Sequence, residues 1–315
     1  MEKQLKYYIP DREISLAEKI KRLVLKREWP VWDFPRIIQI QTVAACNAHC
    51  VFCPHGKTKN PLPKGRMDWD LYRAIIDECT RYRMWRISPY LMNEPLMDPE
   101  IGERIRYISS RKKFPTYTKI NTNASLLTEE MSRDLIDSGL DILTCSVHGI
   151  DKEKYESTMV GLRLEQVLEN IDRFLELQKK LKKKKPELRV TMVRTKLIEP
   201  DVPKILSYWK KRGVKVSIRP MSNRVNAKVA SLGINARPLE PFDWCVRMMQ
   251  QAYVNIRGEL LLCCNDWEQT TILGDVRKQS IREIWNGEKY NDIRRRFLAG
   301  KWKGLLCAAC RMQRE

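Results

Sequence analysis

The 315-residue sequence lacks a long hydrophobic run; its apolar stretches, such as Leu260–Cys264, have the length of a strand. A membrane span would need ~20 such residues. The charged N-terminus (MEKQLKYYIPDREISLAEKI) also lacks the apolar centre of a signal peptide, so we expect a cytoplasmic protein with no membrane span. Hydrophobic residues nevertheless make up 43% of the chain, which is enough for a packed core and excludes general disorder.

Histidine is scarce, with three residues, whereas cysteine is abundant, with ten. A reducing cytosol does not favour a disulfide framework, so these thiols are better suited to metal binding or catalysis. Basic residues outnumber acidic ones, 59 to 39, which gives a net charge of +20. This excess fits an anionic partner, or simply a solvated basic surface. No recognisable nucleic-acid-binding module is present, which argues against nucleic acid as the partner.

Six short apolar runs alternate with amphipathic segments over about 180 residues, which predicts an α/β fold with a parallel sheet. The predicted strands are Ile37–Val43, Trp85–Ser88, Thr116–Asn121, Ile142–Val147, Leu188–Arg194 and Val214–Arg219. The predicted helices are Trp69–Arg81, Pro99–Arg111, Thr128–Ser138, Leu164–Lys180 and Val202–Arg212. A complete eight-unit barrel needs ~250 residues, so six units predict a partial (β/α)6 TIM-like barrel.

Proline and glycine residues indicate where the barrel ends and a smaller domain begins. Residues 1–36 are predicted to form an extension with a helix over Ser15–Lys26, 37–220 the barrel, and 221–240 a linker. Residues 241–315 are predicted to form a small domain with three features. These are a β-hairpin of Ala252–Ile256 and Glu259–Cys263, a basic helix over Ile281–Leu298, and a final cysteine pair.

Three cysteines, Cys46, Cys50 and Cys53, form a CxxxCxxC motif at the end of the first strand. Three thiolates on a tight loop can hold three irons of a [4Fe–4S] cube and leave the fourth iron open to a further ligand. A zinc site is the alternative, with His49 or His55 as its fourth ligand. The order of strand, CxxxCxFC and basic loop favours the cluster.

This motif at the mouth of a half-open barrel resembles the radical S-adenosylmethionine (SAM) superfamily, over about Ile37–Pro220. The resemblance implies that the open iron chelates the amino and carboxylate groups of SAM. One electron then cleaves SAM to a 5′-deoxyadenosyl radical, which abstracts hydrogen from the substrate. It also implies a reducing partner such as flavodoxin or ferredoxin, and Phe52 is carried over as a cofactor-binding residue.

Two further motifs resemble SAM-binding positions of the family. Asn93-Glu94-Pro95 follows the second strand, where GGEP binds the SAM amino group, with Asn93 in place of a glycine. Asn123 belongs to a TNA sequence after the third strand, where the family carries TNG, so Ala124 replaces the glycine. The resemblance assigns Asn93, Glu94, Pro95 and Asn123 to cofactor binding.

The later strands supply weaker matches. Ser146 begins a sequence that resembles S-x-D-G at the end of the fourth strand, with His148 where an acid is common. His148 is a candidate for contact with SAM or substrate, or for proton transfer, and a packing role is equally compatible. Arg194, at the end of the fifth strand, is a candidate partner for the SAM carboxylate, because a guanidinium can bind a carboxylate through two hydrogen bonds.

A second cysteine group lies in the C-terminal domain, with the spacing C-x12-G-x4-C, then 43 residues, then CxxC. Its members are Cys245, Cys263, Cys307 and Cys310. The pattern resembles twitch, a shortened form of the SPASM domain that follows the barrel in some radical SAM enzymes. The resemblance implies a fully ligated auxiliary [4Fe–4S] cluster that conducts electrons. A structural Cys₄ zinc site is the alternative.

Three cysteines remain outside these groups. Cys79 and Cys145 are predicted to pack in the core and the barrel wall. Strand alternation predicts that Cys264 points away from Cys263. Cys264 is a candidate packing residue, a substitute cluster ligand, or a catalytic residue that donates a hydrogen atom to a substrate radical.

The predicted auxiliary cluster also indicates the type of reaction. A single such cluster resembles the arrangement in aminocyclitol dehydrogenases of the superfamily, which implies oxidation of a polar, carbohydrate-like substrate with the cluster accepting an electron. The alternatives are a radical epimerase of a sugar or peptide with a cysteine hydrogen donor, or a peptide- or RNA-modifying enzyme. A non-catalytic metal-binding scaffold would have no use for the paired motifs. The expected substrate is a small molecule or a peptide, and the positive charge would suit an anionic one.

Overall fold

The computed structural model describes residues 32–59, 62–220 and 245–312. The predicted helix Ser15–Lys26 and the predicted linker 221–240 lie outside these residues. In the described ranges, every helix is too short or too polar to cross a lipid bilayer.

Six parallel strands pair in the order of the chain, and helices follow each of the first five. The strands are β1 (Ile37–Ile40), β2 (Arg86–Ser88), β3 (Tyr117–Thr122), β4 (Ile142–Ser146), β5 (Glu187–Arg194) and β6 (Lys215–Pro220). The helices are α1 (Trp69–Arg81), α2 (Ile101–Arg111), α3 (Glu129–Asp137), α4 (Lys152–Thr158), α5 (Leu164–Lys180) and α6 (Val202–Lys211). This architecture confirms the predicted partial α/β barrel.

Local signals explain most of the helix boundaries. Helix α1 begins after Asp68, whose carboxylate accepts hydrogen bonds from the amides of Asp70 and Leu71. Helix α4 was not predicted: it has seven residues and begins after Asp151, whose side chain accepts from the amide of Lys154. Such a short segment carries too little apolar periodicity to be recognised in the sequence.

The barrel strands turn one face to the helices and the other to the lumen. Along β3 and β5 buried and partly exposed residues alternate, as the two-residue period of a strand requires. Ile120 and Val190 are fully buried and belong to the core that the helices cover. The residues that alternate with these buried ones along each strand therefore face the lumen.

The C-terminal region continues the same sheet. Strands β7 (Gln251–Val254), β8 (Glu259–Leu261) and β9 (Ile272–Asp275) extend it, and β7 pairs in parallel with β1. The complete order is β6-β5-β4-β3-β2-β1-β7-β8-β9. Strands β7 and β8 pair in antiparallel fashion, which confirms the predicted hairpin.

Four helices accompany these strands: α7 (Val246–Gln250), α8 (Ile281–Asn286), α9 (Glu288–Leu298) and α10 (Leu306–Met312). The prediction of one helix over Ile281–Leu298 was wrong, because Gly287 separates α8 from α9 with an extended backbone (φ −66°, ψ 156°). A Cβ at this position would come within 3.0 Å of the carbonyl oxygen of Glu283, so glycine allows the close approach.

Candidate active site

The loop after β1 carries Cys46, Cys50 and Cys53, and backbone hydrogen bonds hold it against the segment that follows α4. The amide of His49 donates to the carbonyl of Val160 (2.7 Å). All three thiols are partly exposed. The loop therefore has a fixed backbone, and its sulfur atoms remain open to a ligand at the mouth of the barrel.

The donor set fits an iron–sulfur cluster. Burial is the main cause that raises the pKa of Cys46 to about 11 and that of Cys50 to about 12; the Glu94 charge adds to it at Cys46 and the neighbouring thiolates at Cys50. Both thiols therefore hold their protons at neutral pH and must release them when iron binds. A backbone hydrogen bond at Ala48 favours the thiolate of Cys46. In the described parts of the chain, no three His, Cys, Asp or Glu side chains converge on one point suited to a single metal ion.

Glu94 joins the predicted GGEP-like motif to the turn after β3. Its carboxylate is 3% exposed and accepts hydrogen bonds from the hydroxyl of Thr122 (2.6 Å) and the amides of Asn123 (2.7 Å) and Leu96 (3.1 Å). Burial raises the pKa of Glu94 to about 7, although these hydrogen bonds favour the charged form. Pro95 is buried and begins the short 3₁₀ turn Pro95–Met97.

A second network connects the cysteine loop to the same turn. The Asn123 amide group donates to the side chain of Asn47 (2.8 Å), and Asn47 in turn donates to the Ser125 hydroxyl (2.9 Å). Asn47 lies inside the CxxxCxxC motif, but sequence reasoning missed it, because its partner is 76 residues away. Ala124 takes a left-handed conformation (φ 63°), which explains why glycine would suit this position.

Asn93 lies beside this network and retains a polar atom for a further ligand. Its side-chain oxygen accepts from the amide of Leu91 (2.9 Å). Its buried Nδ2 has no acceptor within the described residues. Buried amide groups normally find a partner, so this donor fits the SAM site that the motif predicts.

Phe52, Ser146 and His148 lie close to the cysteine loop and the end of β4. The rings of Phe52 and His148 meet edge to face, with centroids 4.8 Å apart, and both side chains are buried. The His148 Nδ1 accepts a hydrogen bond from the amide of Val193 (2.8 Å). This bond requires an unprotonated Nδ1 and places the proton of the neutral ring on Nε2. Ser146 is partly buried at the end of β4. The catalytic role of His148 stays a prediction.

Arg194 extends from the end of β5 and is exposed. Its guanidinium pairs with both carboxylate oxygens of Glu199, and this pairing raises the pKa of Arg194. The carboxylate that Arg194 binds in this structure therefore belongs to the protein. Contact with the SAM carboxylate stays a prediction and would require exchange of this partner.

The second cysteine group comes from three separate segments. Cys245 precedes α7, Cys263 follows β8, and Cys307 and Cys310 lie on α10. Backbone amides point at the sulfur atoms. The amide of Asn265 donates to Cys263 Sγ (3.4 Å), and the amides of Arg247 and Met248 donate to the sulfur of Cys245. Amides directed at sulfur fit thiolates that hold an iron–sulfur cluster.

Strand β8 ends at Leu261, so the two-residue period on which the prediction for Cys264 rested does not reach Cys263 and Cys264. The two side chains nevertheless pack against different apolar groups, in agreement with the predicted divergence. Cys264 packs against the apolar group of Met92, Tyr253, Leu261 and Trp267, and Cys53 packs against the same group. One cysteine from each of the two cysteine-bearing segments therefore contacts this group.

Arg247 is a further residue at the second site that sequence reasoning missed. The negative charges of Cys264 and Cys263 raise the pKa of Arg247 well above its ordinary value. Its position two residues after Cys245 was a usable signal, because a cation stabilises neighbouring thiolates.

Comparison with known proteins agrees with both sites. Residues 40–184 match the model of the radical SAM superfamily, and residues 245–311 match SPASM, an iron–sulfur cluster-binding domain. Together these two matches cover most of the chain.

Two relatives are similar over nearly the whole sequence. The S-adenosyl-L-methionine-dependent 2-deoxy-scyllo-inosamine dehydrogenase of Niallia circulans is 23% identical, over 87% of this chain and 92% of its own. A tungsten-containing aldehyde ferredoxin oxidoreductase cofactor-modifying protein of Pyrococcus furiosus is 21% identical, over 88% of each chain.

Solved structures share the fold. BtrN, in complex with AdoMet and 2-DOIA, has a TM-score of 0.58 at 19% identity, covering 88% of this chain and 91% of its own. Streptococcus suis SuiB, bound to its precursor peptide SuiA, has a TM-score of 0.69 at 14% identity, covering 94% and 73%. Together with the two cysteine groups, these matches identify the cofactors as SAM, a [4Fe–4S] cluster and an auxiliary cluster. The chain belongs to the radical SAM superfamily and is an enzyme with a SPASM/twitch domain after its barrel.

Proposed function

We propose that the enzyme oxidises a carbon–oxygen centre of a polar, carbohydrate-like substrate, converting a secondary alcohol into a ketone. The observation that carries this proposal is the position of the apolar group formed by Met92, Tyr253, Leu261 and Trp267. Cys53 packs on it beside the first site, and Cys264 packs on it beside the second. A substrate held at the barrel mouth would thus lie near both sites.

The reaction removes one hydrogen atom from carbon, one proton from the hydroxyl group and one further electron. When bound, the first cluster and SAM supply the hydrogen-atom abstraction, and the auxiliary cluster accepts the electron. The chain itself would orient the groups: Asn93 and Glu94 at the SAM side, and the lumen side chains at the substrate. The buried ring of Phe52 would help to exclude water.

The test is turnover by anaerobically reconstituted enzyme in D₂O, followed by mass spectrometry of candidate polyols. Oxidation predicts a product that lacks two hydrogen atoms and carries no solvent deuterium at carbon. A product of unchanged composition would contradict the oxidation.

Epimerisation is the second candidate, and the position of Cys264 favours it. Its thiol lies on the apolar group that Cys53 also contacts, where it could return a hydrogen atom to a substrate radical. This reaction predicts one solvent deuterium in the product and loss of turnover in Cys264→Ala. Cys79→Ala is the matched control, because Cys79 is a fully buried core thiol that belongs to neither cysteine group. Intact turnover in Cys264→Ala would exclude the cysteine donor.

We further propose a small electron carrier such as flavodoxin or ferredoxin as the reducing partner. The net charge of +20 supports association with an acidic carrier. The test replaces the chemical reductant with reduced flavodoxin and measures 5′-deoxyadenosine. A rate that does not fall with added salt would contradict electrostatic association.

A further inference from the structure

The lumen face of the barrel is unusually polar for the interior of a sheet. On β3 the apolar side chain of Ile120 packs under the helices, so Lys119 and Asn121 point into the lumen. The same alternation places Thr144 and Ser217 there, because their strand neighbours pack in the helix-covered core. Two surface clefts, of about 680 and 630 Å³, lie instead among the outer helices, and no cysteine lines either of them.

Charge on this face is strongly positive. In the described strands β1–β6, the lumen face carries five cations and a single carboxylate, Glu187. The cations are Arg86, Lys119, Arg189, Lys215 and Arg219. Glu187 binds two of them, Arg189 (2.5 Å) and Lys215 (2.7 Å). On β5 and β6, three of these cations, Arg189, Lys215 and Arg219, therefore face a single carboxylate.

The cations are concentrated on two neighbouring strands. The register of β5 with β6 places Arg189 opposite Lys215, and Arg219 opposite Val193. Arg189 also retains a buried Nε with no acceptor within the described residues. A phosphate or carboxylate group would supply that acceptor and offset the excess charge.

Next to these cations, hydroxyl and amide side chains line the lumen from β4 toward β1. Asn121 lies opposite Thr144, and Thr144 lies opposite Arg189. Thr144 is 4% exposed and Gln41 is 1% exposed, yet the Thr144 hydroxyl and both amide atoms of Gln41 have no partner within the described residues. An unpaired buried polar group is destabilising, and a hydroxylated ligand offers both donors and acceptors to satisfy such groups.

We propose that this lumen binds an anionic polyol, a hydroxylated small molecule that carries a phosphate or carboxylate group. The inference rests on the proposed function, because it takes the lumen as the place where the oxidised substrate lies. Its anion is held by Arg189 on β5, and its hydroxyl groups face Thr144 and Asn121, which lie in register with Arg189 on β4 and β3. The inosamine oxidised by the Niallia circulans relative bears an amino group, and a protonated amine would be repelled by these cations.

Calorimetry on reconstituted, SAM-bound enzyme tests the charge preference without requiring turnover. The probes are myo-inositol 1-phosphate, glucuronate, myo-inositol and glucosamine. We expect at least one anion to bind about tenfold more tightly than neutral myo-inositol, and glucosamine to bind most weakly. The first two probes distinguish phosphate from carboxylate as the preferred group.

Variants assign the preference to the lumen. Arg189→Gln should reduce anion affinity about tenfold, whereas Arg189→Lys should retain much of it. Lys184→Gln is the matched control, because Lys184 is an exposed cation outside the strands. Iron content and circular dichroism verify that each variant is folded.

The proposal is overturned if neither anion binds, if glucosamine binds as tightly as the anions, or if Arg189→Gln leaves anion affinity unchanged in folded protein. Ketone formation is measured separately. Anion binding without oxidation would therefore refute only the proposed function, and oxidation without an anion preference would refute only this inference.

Discussion

The two cysteine groups differ in how the chain assembles them. Cys46, Cys50 and Cys53 lie within one loop, which hydrogen bonds hold against the segment after α4. Cys245, by contrast, is brought near the other cysteines of its group only when β7, β8 and α10 are folded and packed. The first site therefore depends on local spacing, and the second on correct tertiary pairing. Damage to one should leave the other largely intact.

Loss of a ligand from each group should separate the two sites most clearly. Cys50→Ala should abolish SAM cleavage, because three thiolates are needed at the first site. Cys307→Ala should retain SAM cleavage while iron falls from about eight to about four per chain. Iron analysis and chromatography of 5′-deoxyadenosine provide the measurements, with Cys79→Ala as the control. Loss of SAM cleavage in Cys307→Ala would show that the sites are not independent.

Glu94 should make the stability of the first site depend on pH. Its pKa is about 7 in the folded chain, above the ordinary carboxyl value of 4.5, so the folded state holds the proton more tightly. The resulting stabilisation is full below about pH 4.5 and is lost as the pH rises through about 7. It amounts to about 3 kcal/mol for this shift.

Urea unfolding of the iron-free chain between pH 5 and 8 measures this dependence. Glu94→Gln should flatten it and should also lower stability, because the new amide cannot accept from both Thr122 and Asn123. An equally steep pH dependence in Glu94→Gln would show that another group causes it.

Gly274 offers a way to disturb the second site alone. A Cβ on Gly274 would lie 2.7 Å from Cγ1 of Ile284, so Gly274→Ala should push α8 away from β9 and cost about 1–3 kcal/mol. Auxiliary iron should become easier to remove with a chelator, while SAM cleavage persists. The double variant Gly274→Ala/Ile284→Ala should lose less stability than the sum of the two single variants, because the second change removes the Cγ1 atom that the new methyl group would meet. Additive losses would indicate that the clash with Ile284 is not the cause.

Ala124→Gly should have the smallest effect. Glycine relieves the left-handed backbone at φ 63°, by about 1 kcal/mol, but removes a fully buried methyl group worth about 0.8 kcal/mol. We therefore expect thermal unfolding within about 1 °C of the parent protein, since the two contributions nearly cancel. A large loss of stability would mean that the methyl group contributes more packing energy than its area implies.

Features encoded in local sequence were predicted well. Helices α1 and α5 have the predicted boundaries, and the cysteine spacings pointed to both sites. The break at Gly287 was missed, because apolar periodicity continues across it. The parallel pairing of β7 with β1 was missed for a different reason. Strand spacing predicts a hairpin, but it carries no information about the distant edge that the hairpin joins.

In the candidate site, too, local motifs were predicted and distant contacts were not. Glu94 and Asn123 were identified from their motifs, but their hydrogen bond spans 29 residues and is visible only in the fold. Strand alternation does not determine the orientation of Cys264, because β8 ends at Leu261. Long-range contacts thus decide which of the recognised residues meet.

The place of β7 beside β1 has a consequence for synthesis of the chain. Strand β1 leaves the ribosome early, but its partner on one side follows about 210 residues later. At 5–20 residues per second, that edge waits roughly 10–40 s for its neighbour. An apolar strand with an open edge is prone to pair with other chains. Slower or cooler expression, or a chaperone that covers this edge, should therefore raise the yield of folded enzyme before any iron is supplied.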